Sequence, residues 1–318
     1  MKIAFVGKGG SGKSTTTAFF INYLLSKQQK VLAVDADINM HVSSLLGIER
    51  DERLALSEQK NVQKIRQILK NDNSLIKSAA EFVKTTPPGK GSHLISLQSD
   101  DEVLKEYATL FAKDSYYMFV GTYESEEIGT ACYHTNLSIF ENILSHTVLK
   151  PQEWLVADMV AGTDAFSNTL HAQFDVIVLV VEPTPEGVSV FEQYIGLAKE
   201  AGVDANLLVV GNKLEDETDL EYLKNKIGEK LLGGFVMKKA IKQARQNGTA
   251  LNMKMLDDSD KVLLEQIASR VMDHGEKPEH KLKLLHSLHK KYVAQDYIVN
   301  AHGDITGQID DSFSYPAN

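Results

Sequence analysis

Nine consecutive residues near the start of the chain, Gly7-Lys8-Gly9-Gly10-Ser11-Gly12-Lys13-Ser14-Thr15, have the types and spacing needed to grip phosphate. Glycines let backbone amides converge on phosphate oxygens, and a helix beginning at the end of the run adds its partial positive charge. In this P-loop pattern Lys13 would bridge the β- and γ-phosphates of a nucleoside triphosphate, and the Ser14 hydroxyl would hold Mg²⁺. The bland alternative is a glycine turn with a surface lysine. Context argues against it, because the apolar run Ile3-Ala4-Phe5-Val6 precedes the glycines and a helical period follows them.

Carboxylates appear where such chemistry needs them. Val34-Asp35-Ala36-Asp37 ends an apolar run, which puts both acids at the carboxyl edge of a sheet, where doubly wound folds bind ligands. Solvated turn acids are the competing reading, and it weighs more on Asp35 than on Asp37. Trp154-Leu155-Val156-Ala157-Asp158 is a second apolar run, closing in Asp-x-x-x-Gly at Gly162. That is the form of a Walker B and switch II segment, with Asp158 facing Mg²⁺ through water and the Gly162 amide sensing the γ-phosphate. Gly211-Asn212-Lys213-Leu214-Glu215 resembles a nucleotide-base loop, in which an asparagine amide reads the purine edge. Glu215 stands where GTPases carry an aspartate, so a guanine reader stays open beside an adenine one.

Lys8 is not required by the general motif. With it, Gly-Lys-Gly-Gly-x-Gly-Lys-Ser resembles the deviant Walker A signature of the MinD, ParA, ArsA and nitrogenase iron protein superfamily. The resemblance implies an ATPase that closes as a homodimer around two Mg·ATP, with Lys8 crossing to the partner's nucleotide and Asp37 orienting the attacking water. It implies that Asp35 ties the P-loop or the Mg²⁺ water shell, and that Asn212 and Lys213 belong to the base loop. Within the superfamily the resemblance is closest to CooC-like ATPases, which assist nickel insertion into carbon monoxide dehydrogenase. It runs over about residues 1 to 270, including the Glu182-Pro183-Thr184 strand end. CooC-like proteins carry Cys-x-Cys before switch II; here the stretch reads Cys132-Tyr133-His134. Two copies would supply Cys₂His₂, a tetrahedral set for Zn²⁺ or an altered one for Ni²⁺. The plain alternative is a buried cysteine beside a hydrogen-bonded histidine. A client metalloenzyme follows from the first reading. A MinD- or ParA-like positioning switch is the alternative function, and a small-molecule synthetase or kinase is a weaker third.

The elements that must hold these residues are legible as alternation. Apolar, β-branched runs at 2–6, 31–35, 154–158, 176–181 and 207–211 read as strands buried on both faces. Helical periods at 13–26, 137–147, 187–199 and 260–273 separate or follow them. The expected fold class is α/β, a doubly wound, mostly parallel sheet with helices on both faces, plus a C-terminal helical extension. The expected division is an ATPase domain over 1–274, with an irregular insertion at about 50–130 on one side of the sheet and a polar helix at about 61–84. An extension and polar tail over 275–318 would follow.

Composition trims the alternatives. At 318 residues and 43% hydrophobic the chain can bury a large core, and its net charge of −9 offers no basic field for nucleic acid. No apolar run approaches a membrane span, the N-terminus leaves no room for a secretory signal, and a lone cysteine suits a reducing compartment, so a cytoplasmic location is expected. His274, His280, His286, His289 and His302 crowd the C-terminal segment. A solvated helix without a ligand is the expected reading, with metal storage the alternative. Lys281, Lys283, Lys290 and Lys291 flank the stripe Leu282, Leu285, Leu288 and Tyr292. Packing on the body is expected rather than membrane binding.

Overall fold

The computed structural model describes residues 1–122, 133–160, 166, 169–274 and 278–316. Eight strands form one sheet in the order β3-β4-β2-β5-β1-β6-β7-β8. They are β1 Lys2–Gly7, β2 Lys30–Ala36, β3 Thr109–Ala112, β4 Ser115–Phe119, β5 Glu153–Met159, β6 Val176–Val181, β7 Leu207–Leu214 and β8 Leu231–Val236. Every pairing is parallel except β3 with β4. The apolar runs are continuous because alternate side chains enter separate cores. From β1, Ala4 and Val6 go to one cluster and Ile3 and Phe5 to the other.

Position in the sheet explains where a ligand can bind. β1 lies between β5 and β6; from it the chain crosses to β2 on one side, and from β5 it crosses back over β1 to β6. Connections diverging in this way open a crevice beyond the carboxyl ends of the central strands. The glycine-rich loop leaves β1 at that point and enters the helix Lys13–Ser26.

Several expectations need correction. The helix expected at about 61–84 is shorter, Gln59–Lys70, stopped where Asn71 turns to φ 42 and Asn73 takes the Leu75 amide on its side chain. Asn and Asp compete for the backbone in this way, and three in a row at 71–73 end the helical period. The 50–130 stretch also enlarges the sheet, since β4 pairs with β2 and β3 forms the antiparallel edge. The C-terminal helix Pro278–Val293 is not solvated all round. His289 is fully buried, its Nδ1 2.9 Å from the Thr85 hydroxyl, which makes it a packing residue. Val83, Val293, Ile298 and Ile305 form a small core of their own, and Thr86 donates to Gln308 Oε1 at 3.0 Å. The segment is thereby fastened to residues 83–86, as its apolar stripe requires. Among the described residues no helix is long and apolar enough to cross a membrane.

The helix Tyr133–His146 lies under this segment, and buried Glu141 ties it to the chain that leads into β6. Glu141 Oε2 accepts from the Thr169 amide at 2.9 Å and from the Thr169 hydroxyl. Burial pushes the carboxyl up to about 7, against the opposing pull of Thr169 and of Lys84. The folded chain therefore keeps a proton that the unfolded chain releases near its ordinary 4.5, so this group costs stability as pH rises from there to about 7. Glu141→Gln, which keeps an acceptor for Thr169, should remove that slope. Urea unfolding at pH 5 and pH 8 should show the native chain losing up to about 3 kcal/mol more than the variant across the interval.

Candidate functional site

The loop between β1 and the first helix is shaped by its glycines and braced from β7. Gly12 is the helix N-cap at φ 92, and a Cβ there would lie 1.9 Å from Asn212 Nδ2, so only glycine fits. Asn212 donates to the Ser11 carbonyl at 2.7 Å, and Lys213 donates to the Gly10 carbonyl at 2.6 Å while pairing with Glu182 at 2.5 Å. Lys213 is itself held at φ 60, a left-handed backbone uncommon for lysine. Both residues, near the end of β7, thus pull loop carbonyls outward, the orientation that leaves loop amides for an anion. Ser11 is buried with its hydroxyl unpartnered among the described residues, and no acid occupies the first turn of the helix.

Three strand ends converge on Lys13. Its Nζ lies 2.9 Å from Asp37 Oδ2 and 2.9 Å from Asp158 Oδ1, and all three side chains are buried. Asp158 also accepts from Ser14 Oγ at 2.6 Å and Thr17 Oγ1 at 3.0 Å. Asp37 takes both the backbone and side-chain amides of Asn39, at 2.9 and 3.0 Å. Burial disfavours the Lys13 ammonium, but Asp158 and then Asp37 outweigh it, and its pKa lies above the ordinary lysine value. Burial likewise opposes the Asp37 charge, yet Lys13 and the Asn39 amide hold its carboxyl below the usual range.

Asp35 is fully buried at the end of β2. Its carboxylate accepts from the Val42 amide at 2.9 Å and from the Asp37 amide at 3.3 Å, so it shapes the turn that presents Asp37 instead of touching the loop. Burial and then neighbouring Asp158 push it up to about 8. Two buried carboxylates, Asp37 and Asp158, therefore share one ammonium, with the Asp35 carboxyl kept protonated beside them, an arrangement short of positive charge. Ser14 and Asp158 offer hard oxygen ligands at the point of deficit, a donor set that suits Mg²⁺.

Behind the loop a cavity of about 510 Å³ opens between the first helix and the ends of β7 and β8. Phe19, Phe235, Met237, Ile241 and Leu256 make it largely apolar, and Gly12, Thr15 and Asn212 join it to the loop. Its size and lining are those of a small-molecule site. Glu215 is exposed, is not among the cavity walls, and its backbone amide binds Asp219.

Placement of the expected residues is uneven. Gly7, Gly9, Gly10, Ser11, Gly12, Lys13, Ser14, Thr15, Asp37, Asp158, Asn212 and Lys213 converge on one crevice. Lys8 is exposed on the outside of the loop. Cys132 and Gly162 lie outside the described residues, as does the side chain of His134. Thr17, Asn39 and the cavity walls went unnoticed in the sequence. Thr17 could have been found from its spacing, four residues after Lys13 on one helical face. Gly12→Ala should weaken nucleotide binding at least tenfold, through the Asn212 clash and the positive φ, in a fluorescent-nucleotide titration.

Comparison with known proteins agrees with this geometry. Residues 3–269 match the family model described as the CobQ/CobB/MinD/ParA nucleotide binding domain. The carbon monoxide dehydrogenase accessory protein CooC of Rhodospirillum rubrum is 26% identical over 249 residues, 78% of this chain and 88% of that protein. An uncharacterized ATP-binding protein of Methanocaldococcus jannaschii is 26% identical over 268 residues, 82% of this chain and 98% of the other. Among solved structures, MinD of Pyrococcus furiosus superposes with a TM-score of 0.55 at 20% identity, covering 86% of this chain and 99% of its own. A ParA family ATPase of Chlorobium tepidum gives 0.56 at 16% identity, covering 86% and 96%. A match over most of the chain makes this protein a member of the CobQ/CobB/MinD/ParA nucleotide-binding family.

Proposed function

We propose that the chain is a Mg²⁺-dependent ATPase working as a nucleotide-bridged homodimer, and that it serves the maturation of a metal centre in a client enzyme. The observation that carries the ATPase reading is Lys13, clasped by Asp37 and Asp158 where a phosphate loop meets an apolar cavity. ATP would place its base in that cavity and its phosphates along the loop, drawing Lys13 from the carboxylates to the β- and γ-oxygens. Exposed Glu215 sits outside the cavity, which favours adenine over guanine. Ser14 and Asp158 would hold Mg²⁺, which when bound supplies positive charge against the phosphate oxygens.

Asp37, released from Lys13, would then orient the attacking water, with Asn39 fixing its carboxylate. Lys8, exposed on the loop, would reach the nucleotide of the second protomer and stabilise charge as the bond to the γ-phosphate breaks. Hydrolysis would free Gly162 and the switch II segment, and the two protomers would separate.

The maturation role rests on similarity to CooC and on Cys132-Tyr133-His134. Nickel or zinc is here the cargo, held between two protomers by Cys132 and His134 of each. A cytoplasmic setting fits a lone cysteine kept reduced. The MinD- or ParA-like alternative would show nucleotide-dependent adsorption to DNA or anionic vesicles, which the charge of −9 disfavours.

Two outcomes test the proposal. Equilibrium dialysis and elemental analysis of tag-free protein with Mg·ATP should give about half a nickel or zinc per protomer, lost in Cys132→Ser. Metal content unchanged in that variant would remove the maturation role and leave the ATPase. Separately, Lys8→Ala should abolish ATP-dependent dimerisation in light scattering and slow hydrolysis at least a hundredfold, while nucleotide affinity in the monomer stays within about threefold.

A further inference from the structure

A second cavity, of about 230 Å³, lies at the opposite edge of the sheet from the phosphate loop. Its walls come from the start of β1, the chain entering β5 and β6, and the helix Pro278–Val293. Among the described residues that line it, Asp175 is the one acid, and its two oxygens are already used. Oδ2 accepts the Lys2 amide at 2.6 Å, and Oδ1 pairs with the Lys281 ammonium. Two lysine side chains therefore face one committed carboxylate.

The Lys2 ammonium donates to the Leu144 carbonyl at 2.6 Å, a neutral acceptor. Burial first, and then the nearby Lys281 charge, bring its pKa down to about 7 despite Asp175, so an anion bound here would restore its full charge. Gln173 forms another wall, is 6% exposed, and its amide nitrogen has no partner among the described residues. A buried donor left unsatisfied costs about 1–3 kcal/mol. Tyr315 already gives its hydroxyl proton to the Ser145 carbonyl at 2.6 Å. The wall thus offers cations and an idle donor with no free acid, while Leu285 and Leu149 supply an apolar side.

We propose that this cavity binds a small organic anion, a carboxylate with a short apolar tail, its head between Lys2, Lys281 and the Gln173 amide and its tail against Leu285 and Leu149. The volume equals that of roughly seven or eight liquid waters, too little for a nucleotide. An occupant would fasten the C-terminal helix, through Lys281, to residues 173–175. Those residues follow Thr169, the residue that Glu141 anchors at the exit of the switch II segment. The site would act as an effector site for the extension, and it does not depend on the identity of the client enzyme.

The test uses the full, tag-free chain at fixed ionic strength, titrated with butanoate and followed by saturation-transfer NMR and thermal shift. Saturable binding is expected, with 1-butanol and n-butylammonium at least tenfold weaker. Lys281→Met leaves Asp175 to neutralise Lys2, so it should weaken butanoate at least tenfold, and Gln173→Leu should weaken it severalfold. Each variant's melting curve is recorded first, and either one folded suffices for the comparison. Absence of saturable binding, equal binding of the neutral isostere, or affinity unchanged in the folded variants would overturn the proposal. Inorganic phosphate binding in place of butanoate, with loss in Lys281→Met, would overturn the carboxylate class.

Discussion

Much of the site is organised around one buried ammonium. Lys13 could not remain charged in so dry a place without the carboxylates of Asp37 and Asp158, and those carboxylates could not lie so close together without Lys13. The three side chains reach one another because β1, β2 and β5 are adjacent and parallel, ending at the same edge. Sheet register thereby becomes site geometry: Asp35 pairs with Asp158 across β2 and β5, and Asp158 with Phe5 across β5 and β1. A slip of one residue on β2 or β5 would turn its acid to the other face.

The same interaction defines the resting state. On the proposed mechanism, phosphate oxygens would replace the carboxylates as the partners of Lys13, so nucleotide binding would be an exchange of anions at one cation. The turn 37–42 that presents Asp37 is shaped by Asp35. Downstream of Asp158, Thr169 is held by Glu141 of the helix Tyr133–His146, and the C-terminal segment packs over both.

How much of this was legible depends on whether a feature is local in the chain. The phosphate loop was readable because its chemistry needs contiguous residues, and Asp158 because it ends a strand. The cavity behind the loop was not, since Phe19, Phe235, Ile241 and Leu256 come from elements far apart in sequence and share no period. β8 was hidden by Gly233 and Gly234, which weaken the strand signal but let it approach β7 closely; a Cβ on Gly234 would meet Leu214 Cδ2 at 2.7 Å. His289 read as one of a solvated histidine group because helical spacing does not reveal which face meets Thr85. Asp35 was legible as an acid at the right edge, whereas its role in the turn depended on the Val42 amide seven residues on.

In the proposed mechanism Lys13 passes from Asp37 and Asp158 to the phosphates of ATP. Binding and single-turnover hydrolysis of Mg·ATP by Asp37→Ala separates the two states most directly. Removing Asp37 frees Lys13 from one competitor while deleting the residue that orients water. ATP should bind as tightly as to the native chain or more so, with hydrolysis slowed at least a hundredfold. Hydrolysis at the native rate, or loss of ATP binding in a folded Asp37→Ala protein, would contradict the account.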